Sequence, residues 1–375
     1  MSIQSSSSAR RAALASIAAL LAAAGFHALE GRSAGAEPPA AARHLTAAQA
    51  AAGTRWTALF DLLCAPAEAA RSEPSAAATP SAAATPSAAA TPKPAAATPS
   101  AAATPKPAPP STPDRASWYA PPVKVFDNLY FVGMSDYSAW AVTTSAGIIL
   151  VDTIFDYSVE AEVVDGLRQL GLDPATIRYA IVSHGHNDHS GGARYLQDHF
   201  GTKIVLSAAD WDLVERGKGT QPRRDVVATD GMKLTLGDTT LRLYLTPGHT
   251  LGTISTVIPL KDHGRPRVAV TWGGTAFNWV KNPGEYLTPE RPERFWFESY
   301  AASAARFAAI AAQAHADVLL SNHTVFDGSK QNLPLLSSHD APSANPYVVG
   351  AEGVRGYLTV AKECAAARLA RTPKP

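Results

Sequence analysis

The chain of 375 residues is short of three things: cysteine, a surplus of either charge and, over one long internal stretch, any large apolar side chain. Each shortage excludes something. With only Cys64 and Cys364 present, zinc-finger chemistry is out of reach, and any zinc must be held by histidine and aspartate. The two thiols either form one disulfide, if the protein is exported, or lie apart as small buried hydrophobes. Sequence does not reveal whether their Cα atoms come within bridging reach. Lysine and arginine total 33 against 32 acidic residues, a formal charge of +1, so there is no basic excess to suggest a nucleic-acid groove.

The stretch without large apolar side chains runs from Pro74 to Pro113 as repeats of SAAATP and related hexamers. Frequent proline removes amide donors and favours polyproline II, so residues 74–113 are expected to be a semi-rigid, solvated linker. At the start, Arg10 and Arg11 precede a charge-free apolar run from Ala12 to Leu29, and Ala34-Gly35-Ala36 offers small residues for cleavage before Glu37. Residues 1–36 therefore read as an export signal, compatible with general secretion, twin-arginine export or an uncleaved anchor. The expected location is periplasmic or secreted, with no other membrane association. Residues 37–73 form an N-terminal segment in which His44 to Cys64 reads as one amphipathic helix. Thr46 is its candidate N-cap, and Trp56, Leu59, Phe60 and Leu63 lie at helical spacing as packing residues.

From residue 114 to 375 strand and helix signals alternate, the pattern of an α/β domain. VKVFDNLYFVG and SAWAVTTSAGIILVDT read as strands, followed by the helix-like VEAEVVDGLRQLG and the strand RYAIVSH. Further strands follow, and Pro292 to Ala314 reads as a long helix with Phe295, Tyr300, Phe307 and Ile310 along its core face.

The chemistry gathers where strands end. YAIVSHGHNDHSGG, Tyr179 to Gly192, places His184, His186, Asp188 and His189 on one strand-to-helix loop. Alternate residues of an extended segment share a side, so His184 and His186 can approach one ion while Asp188 and His189 face a neighbouring point. That geometry suits two metals, with neutral imidazole as the usual zinc ligand. Two later strand ends deliver His249 (LTPGHT) and His323 (VLLSNH). His44, His199, His263, His315 and His339 lack such a setting and read as surface or capping residues, and His27 falls in the signal. Asp152, closing the strand GIILVD, either holds the ligand loop from behind or begins a turn.

His-x-His-x-Asp-His, then Gly-His, then a late His, in this order, resembles the metallo-β-lactamase superfamily over roughly Trp118 to Arg371. The resemblance implies an αββα sandwich of two mixed sheets flanked by helices, with metals at one edge. It assigns His184, His186 and His249 to a first zinc and Asp188, His189 and His323 to a second. Within the superfamily the chain looks most like the third subclass of class B β-lactamases. Glyoxalase-like thioesterases and lactonases carry a metal-bridging Asp where this chain has Trp272, Gly273 and Gly274, and diiron relatives place Glu where His186 stands.

The implied activity is opening of β-lactam amides, a route to antibiotic resistance. A dizinc-bound hydroxide would attack, with Asp188 orienting it. Where the subclass commonly presents serine and a second hydroxyl to the drug, Gly273 and Thr275 stand here. Thr275 is a candidate substrate contact, and Trp272, Phe277 and Trp279 either wall an apolar pocket or belong to the core. The rival readings are hydrolysis of a lactone, thioester or other ester by the same fold and, in a different class, a secreted metal-binding protein without turnover. Oligomeric state and metal identity are not legible.

Overall fold

The computed structural model describes residues 37–64, 112–218, 221–338 and 344–373. The expected export signal, and all of the expected linker except residues 112 and 113, lie outside the described residues.

Two mixed sheets lie face to face. β1 (Val123–Phe126), β2 (Leu129–Phe131), β3 (Trp140–Thr144) and β4 (Gly147–Val151) pair antiparallel. β5 (Ile177–Ile181), β6 (Lys203–Ser207) and β7 (Val226–Ala228) extend the same sheet in parallel. The second sheet has the order β12 (Val318–Ser321), β11 (Arg265–Trp272), β10 (Ile254–Asp262), β9 (Thr239–Leu245) and β8 (Met232–Leu236). Only its β11–β12 pair is parallel.

Period-two alternation builds the layers. In β4, Ile149 and Val151 enter the cluster between the sheets, where Leu243, Ile254, Ile258 and Leu320 oppose them. Ile148 and Leu150 point the other way, onto a helical layer with Val163, Leu167, Leu196 and Trp211. Both faces of β4 are buried, which is why its sequence is a continuous apolar run rather than an alternating one. On the far side, Val257, Val270, Trp272 and Leu319 meet a second helical layer. The order is helix, sheet, sheet, helix, as the resemblance implied.

The N-terminal segment departs from the expected single helix. α1 (Pro39–Ala52) begins with proline at its first position, where the missing N–H costs nothing, and it stops at Gly53. α2 (Thr57–Cys64) follows. Thr46 is therefore no N-cap: it sits inside α1 with its hydroxyl donating to Ala42 O at 3.0 Å.

On the seven-stranded side lie a π-helical turn, Glu160–Val164, running into α3 (Asp165–Gln169), then α4 (Asn187–Ser190), α5 (Ala193–Phe200) and α6 (Ala208–Glu215). On the other side are α7 (Asn278–Lys281), α8 (Pro283–Tyr286), α9 (Glu293–Gln313) and, after α10 (Ser329–Ser337), α11 (Gly350–Arg371); α10 itself lies against β1 and sends Leu333 into the cluster between the sheets. α9 matches the expected helix, with Trp296, Phe297, Tyr300, Ala304 and Phe307 buried.

α1 and α2 pack against α11. Trp56 donates its indole N–H to Gly353 O at 3.0 Å and sets its ring edge-on to Tyr357. His44, expected at the surface, pairs with Glu363 on α11 at 2.6 Å. Cys64 and Cys364 are joined in a disulfide across 300 residues, Cα atoms 4.8 Å apart. In the chain-entropy model a loop of that size contributes roughly 6 kcal/mol, an upper figure for real proteins. Among the described residues, no helix is long and apolar enough to cross a membrane.

Candidate metal centre

Every candidate ligand hangs from a strand's carboxyl end. β5 runs out at Ile181 and leads into His184 and His186, and α4 then turns Asp188 and His189 inward. β9 leads to His249 and β12 to His323. His184, His186 and His249 converge: His249 Nε2 lies 3.1 Å from His184 Nε2 and 3.2 Å from His186 Nδ1. Asp188 Oδ2 lies 3.2 Å from His189 Nε2 and 3.8 Å from His323 Nε2. His184 adjoins both sets, its ring centroid 4.3 Å from those of His249 and His189.

The first set fits a cation on its own hydrogen bonding. His184 Nδ1 donates to Gly273 O at 2.8 Å and His249 Nδ1 donates to Ala276 O at 2.7 Å. Burial, with the neighbouring imidazoles, pushes both rings well below their usual pKa. Neutral rings that spend their one N–H on a carbonyl must turn lone pairs towards each other, an arrangement that a metal ion relieves. His186 shares Nε2 with the Tyr286 hydroxyl at 2.7 Å, leaving Nδ1 to face the other two. Burial lowers His186 to about 4 despite the nearby Asp188, and burial with His189 lowers His323 to about 4.

The second set is held by charge. His189 is fully buried, and its Nε2 makes no hydrogen bond of good geometry. Burial opposes protonation of His189, but the carboxylates of Asp188 and Asp152 outweigh it and raise the ring to about 10. Burial likewise opposes ionisation of Asp188, and the surrounding histidines overcome it, holding the carboxyl well below the usual carboxylate range. The carboxylates that retain a proton on His189 are the same groups that would favour a cation in its place.

Asp152 acts from behind, the first of its two sequence readings. Its carboxylate accepts Ser183 N at 2.6 Å, Ser183 Oγ at 2.9 Å and His189 Nδ1 at 3.0 Å. Asp152 holds φ at 65°, a left-handed conformation costing about 1–3 kcal/mol for a side chain of this kind. Three hydrogen bonds to the ligand loop stabilise that conformation.

The aromatic residues proposed as pocket walls are core. Trp272 donates to Tyr300 OH at 3.0 Å, and Phe277 and Trp279 pack on Phe297 of α9. Thr275, the candidate substrate contact, is 1% exposed and equally withdrawn. A large ring beside a strand end is drawn into whatever apolar layer the next helix supplies, here α9. Gly273 has a steric reason: a Cβ there would lie 1.9 Å from Ile254 O, so serine requires the backbone to move.

Sequence reading missed several supports. Asn322 donates to Gly273 O at 2.9 Å and to Ser183 Oγ at 3.2 Å, tying the His323 loop to the first. Asp327 accepts Ser321 N, and Asn278 Nδ2 lies 3.3 Å from His249 Nε2. Tyr286, Asn278, Asp327 and Asp210 carry no motif, since each reaches the site from a separate short element.

Residues 133–263 match the family model of the Metallo-beta-lactamase superfamily. The chain is similar to that superfamily over this stretch. Its fold is that of a mutant of the metallo-beta-lactamase from Legionella gormanii, with TM-score 0.59, 26% identity, and coverage of 67% of this chain and 96% of the other. A subclass B3 metallo-beta-lactamase of Bradyrhizobium japonicum gives TM-score 0.57 and 27% identity, covering 68% and 96%. Curated superfamily relatives include the hydroxyacylglutathione hydrolases of Acidiphilium cryptum, 28% identical over 122 residues, and of a Synechococcus strain, 34% identical over 119. Each match spans 32% of this chain, and the chain spans 44% and 43% of those relatives' lengths.

Proposed function

We propose that the protein is an exported two-zinc hydrolase that opens β-lactam amides. The observation that carries this reading is the donor set: five histidines and Asp188 converge at the strand ends, while β11 ends in the buried Trp272 rather than an acid. Bound zinc supplies Lewis acidity and lowers the pKa of water towards neutrality, which is the chemistry an amide carbonyl requires.

The chain's own residues do the rest. Burial keeps His184, His186, His249 and His323 neutral at working pH, so those four need lose no proton to bind a metal, whereas His189, held protonated by Asp188 and Asp152, would give up its Nε2 proton. Asp188 stays ionised and orients the attacking oxygen. Asp152 fixes the tautomer of His189 through Nδ1. The Tyr286 hydroxyl, whose pKa burial raises, stays protonated beside the first set, and Asn278 adds a neutral amide donor there. The reading draws further support from the fold likeness to a subclass B3 enzyme over 96% of that chain.

A thioester substrate is the second reading, favoured by similarity to hydroxyacylglutathione hydrolases over about a third of this chain. The deciding assay uses purified protein with zinc, offering a penicillin, a cephalosporin, a carbapenem and a hydroxyacylglutathione thioester, each with and without chelator. Chelator-sensitive turnover of any β-lactam supports the first reading. Turnover of the thioester alone replaces it with the second.

A further inference from the structure

Beside the ligand loops, two buried carboxylates remain beyond those that touch histidine, Asp210 and Asp327. Asp327 serves the loop before His323. Asp210, on α6, lies between the other two ligand loops and reaches both. Its Oδ2 accepts the backbone N–H of Gly185 at 2.9 Å, between His184 and His186, and the hydroxyl of Thr250 at 2.7 Å, next to His249. Its Oδ1 accepts Gly252 N at 3.0 Å. Thr250 Oγ1 also lies 2.8 Å from Thr253 Oγ1, and Thr253 Oγ1 receives Thr250 N at 3.0 Å, so the second loop is braced internally around the same carboxylate.

Steric fit agrees with this role. A Cβ on Gly252 would meet Ser207 Oγ at 1.9 Å and Asp210 Oδ1 at 2.6 Å, and one on Gly185 would come within 3.0 Å of Asp210 O. Both loops are thus pressed against the first turn of α6 so closely that their bare amides can reach one carboxylate. A backbone bond from Ile254 N to Ser183 O at 2.7 Å ties the neighbouring ends of the same two segments, and Asp210 reaches the residues beside the ligands themselves.

We infer that Asp210 is the positioning residue of the first metal set, setting the distance between the His184/His186 loop and the His249 loop. The inference rests on the two-metal reading above. An acceptor placed between two loops costs desolvation, and it is useful only if their relative position matters. Here that position fixes how far His249 Nε2 stands from His184 Nε2 and His186 Nδ1. The second set depends on different supports, Asp152 behind His189 and Asp327 behind the His323 loop, so loss of Asp210 should be felt on one side only.

The test isolates each set. In full-length protein bearing His323→Ala, zinc affinity reports the first set; in protein bearing His249→Ala, it reports the second. Asp210→Asn is added to each, and affinity is read by competition with a fluorescent zinc chelator, alongside the melting temperature of the metal-free proteins. The expected result is roughly 10–100-fold weaker zinc binding in the His323→Ala background and a change under about threefold in the His249→Ala background. Equal weakening in both backgrounds would mean a general loss of stability and overturn the inference, as would unchanged affinity in the first.

If Asp210→Asn does not fold, Thr250→Val decides, since it removes one bond to Oδ2 and keeps the carboxylate. Weakening of the first set alone supports the inference, and unchanged affinity overturns it. A His323→Ala protein that folds and binds no zinc at all would refute the metal centre rather than the role of Asp210.

Discussion

At the metal edge, polar groups are buried and hold one another; in the helical flanks, apolar packing and a single disulfide hold the chain. Asp152, Asp210, Asp327 and Asn322 are all nearly inaccessible, yet each has its hydrogen bonds to the ligand loops. α1, α2 and α11 instead meet through Trp56, Leu59, Leu63, Tyr357 and Leu358, clamped by Cys64–Cys364. The difference teaches where each kind of interaction is used. Hydrogen-bonded carboxylates fix atoms within fractions of an ångström at modest net gain, whereas apolar area supplies stability with little geometric demand.

If that division is right, changes at one region should leave the other's property untouched. The largest effect falls at the edge: His249→Ala and His189→Ala should each reduce bound zinc and bring hydrolysis to background, while the metal-free melting temperature changes little. Unchanged metal content and rate in both variants would break the comparison. Next in size, a Cys64→Ser, Cys364→Ser pair should lower stability by about 2–5 kcal/mol in urea unfolding with zinc affinity preserved. A coupled fall in zinc affinity would show that the flank does set the geometry of the edge.

Asp152→Asn should weaken the second metal about 10–100-fold, because the amide cannot accept from both Ser183 and His189 as the carboxylate does. Zinc titration of the His249→Ala background would detect it.

A polar exception in the flank gives the last prediction. Glu162 is buried in the π-helical turn, and burial raises its pKa from 4.5 to about 8, opposed by its bond to Ala120 N and by Arg115. Raised in the fold, it contributes stability that is fully present below about 4.5 and is lost as pH rises through about 8. One proton gives a slope of up to about 1.4 kcal/mol per pH unit between those values. Urea unfolding from pH 5 to 9 should show this decline, and Glu162→Gln should flatten it.

What the sequence disclosed follows the same division. The candidate ligands were readable because several histidines on one loop have no packing reason to be there, and because apolar strands announce their own ends. The α/β alternation was readable from its strand and helix signals, and the sandwich was implied by the resemblance that the ordered histidines carry. The supports were not readable. Asp210 and Tyr286 look like any aspartate on a helix and any tyrosine after a turn, and only the assembled loops show what they touch. The break at Gly53 was hidden by an alanine-rich stretch that favours helix on both sides. Trp272 and Phe277 were ambiguous because an aromatic near a strand end suits a pocket and a core equally, and α9 decided between them. The cysteine pair depended on a distance that chain order does not contain.

The most direct test of the central claim is the zinc content of the purified protein, measured by elemental analysis after dialysis against metal-free buffer, together with that of His249→Ala and His323→Ala. Two ions per chain, falling to one in each variant, is the result this account predicts. A folded protein that holds less than one ion per chain, or variants that match the parent, would contradict it.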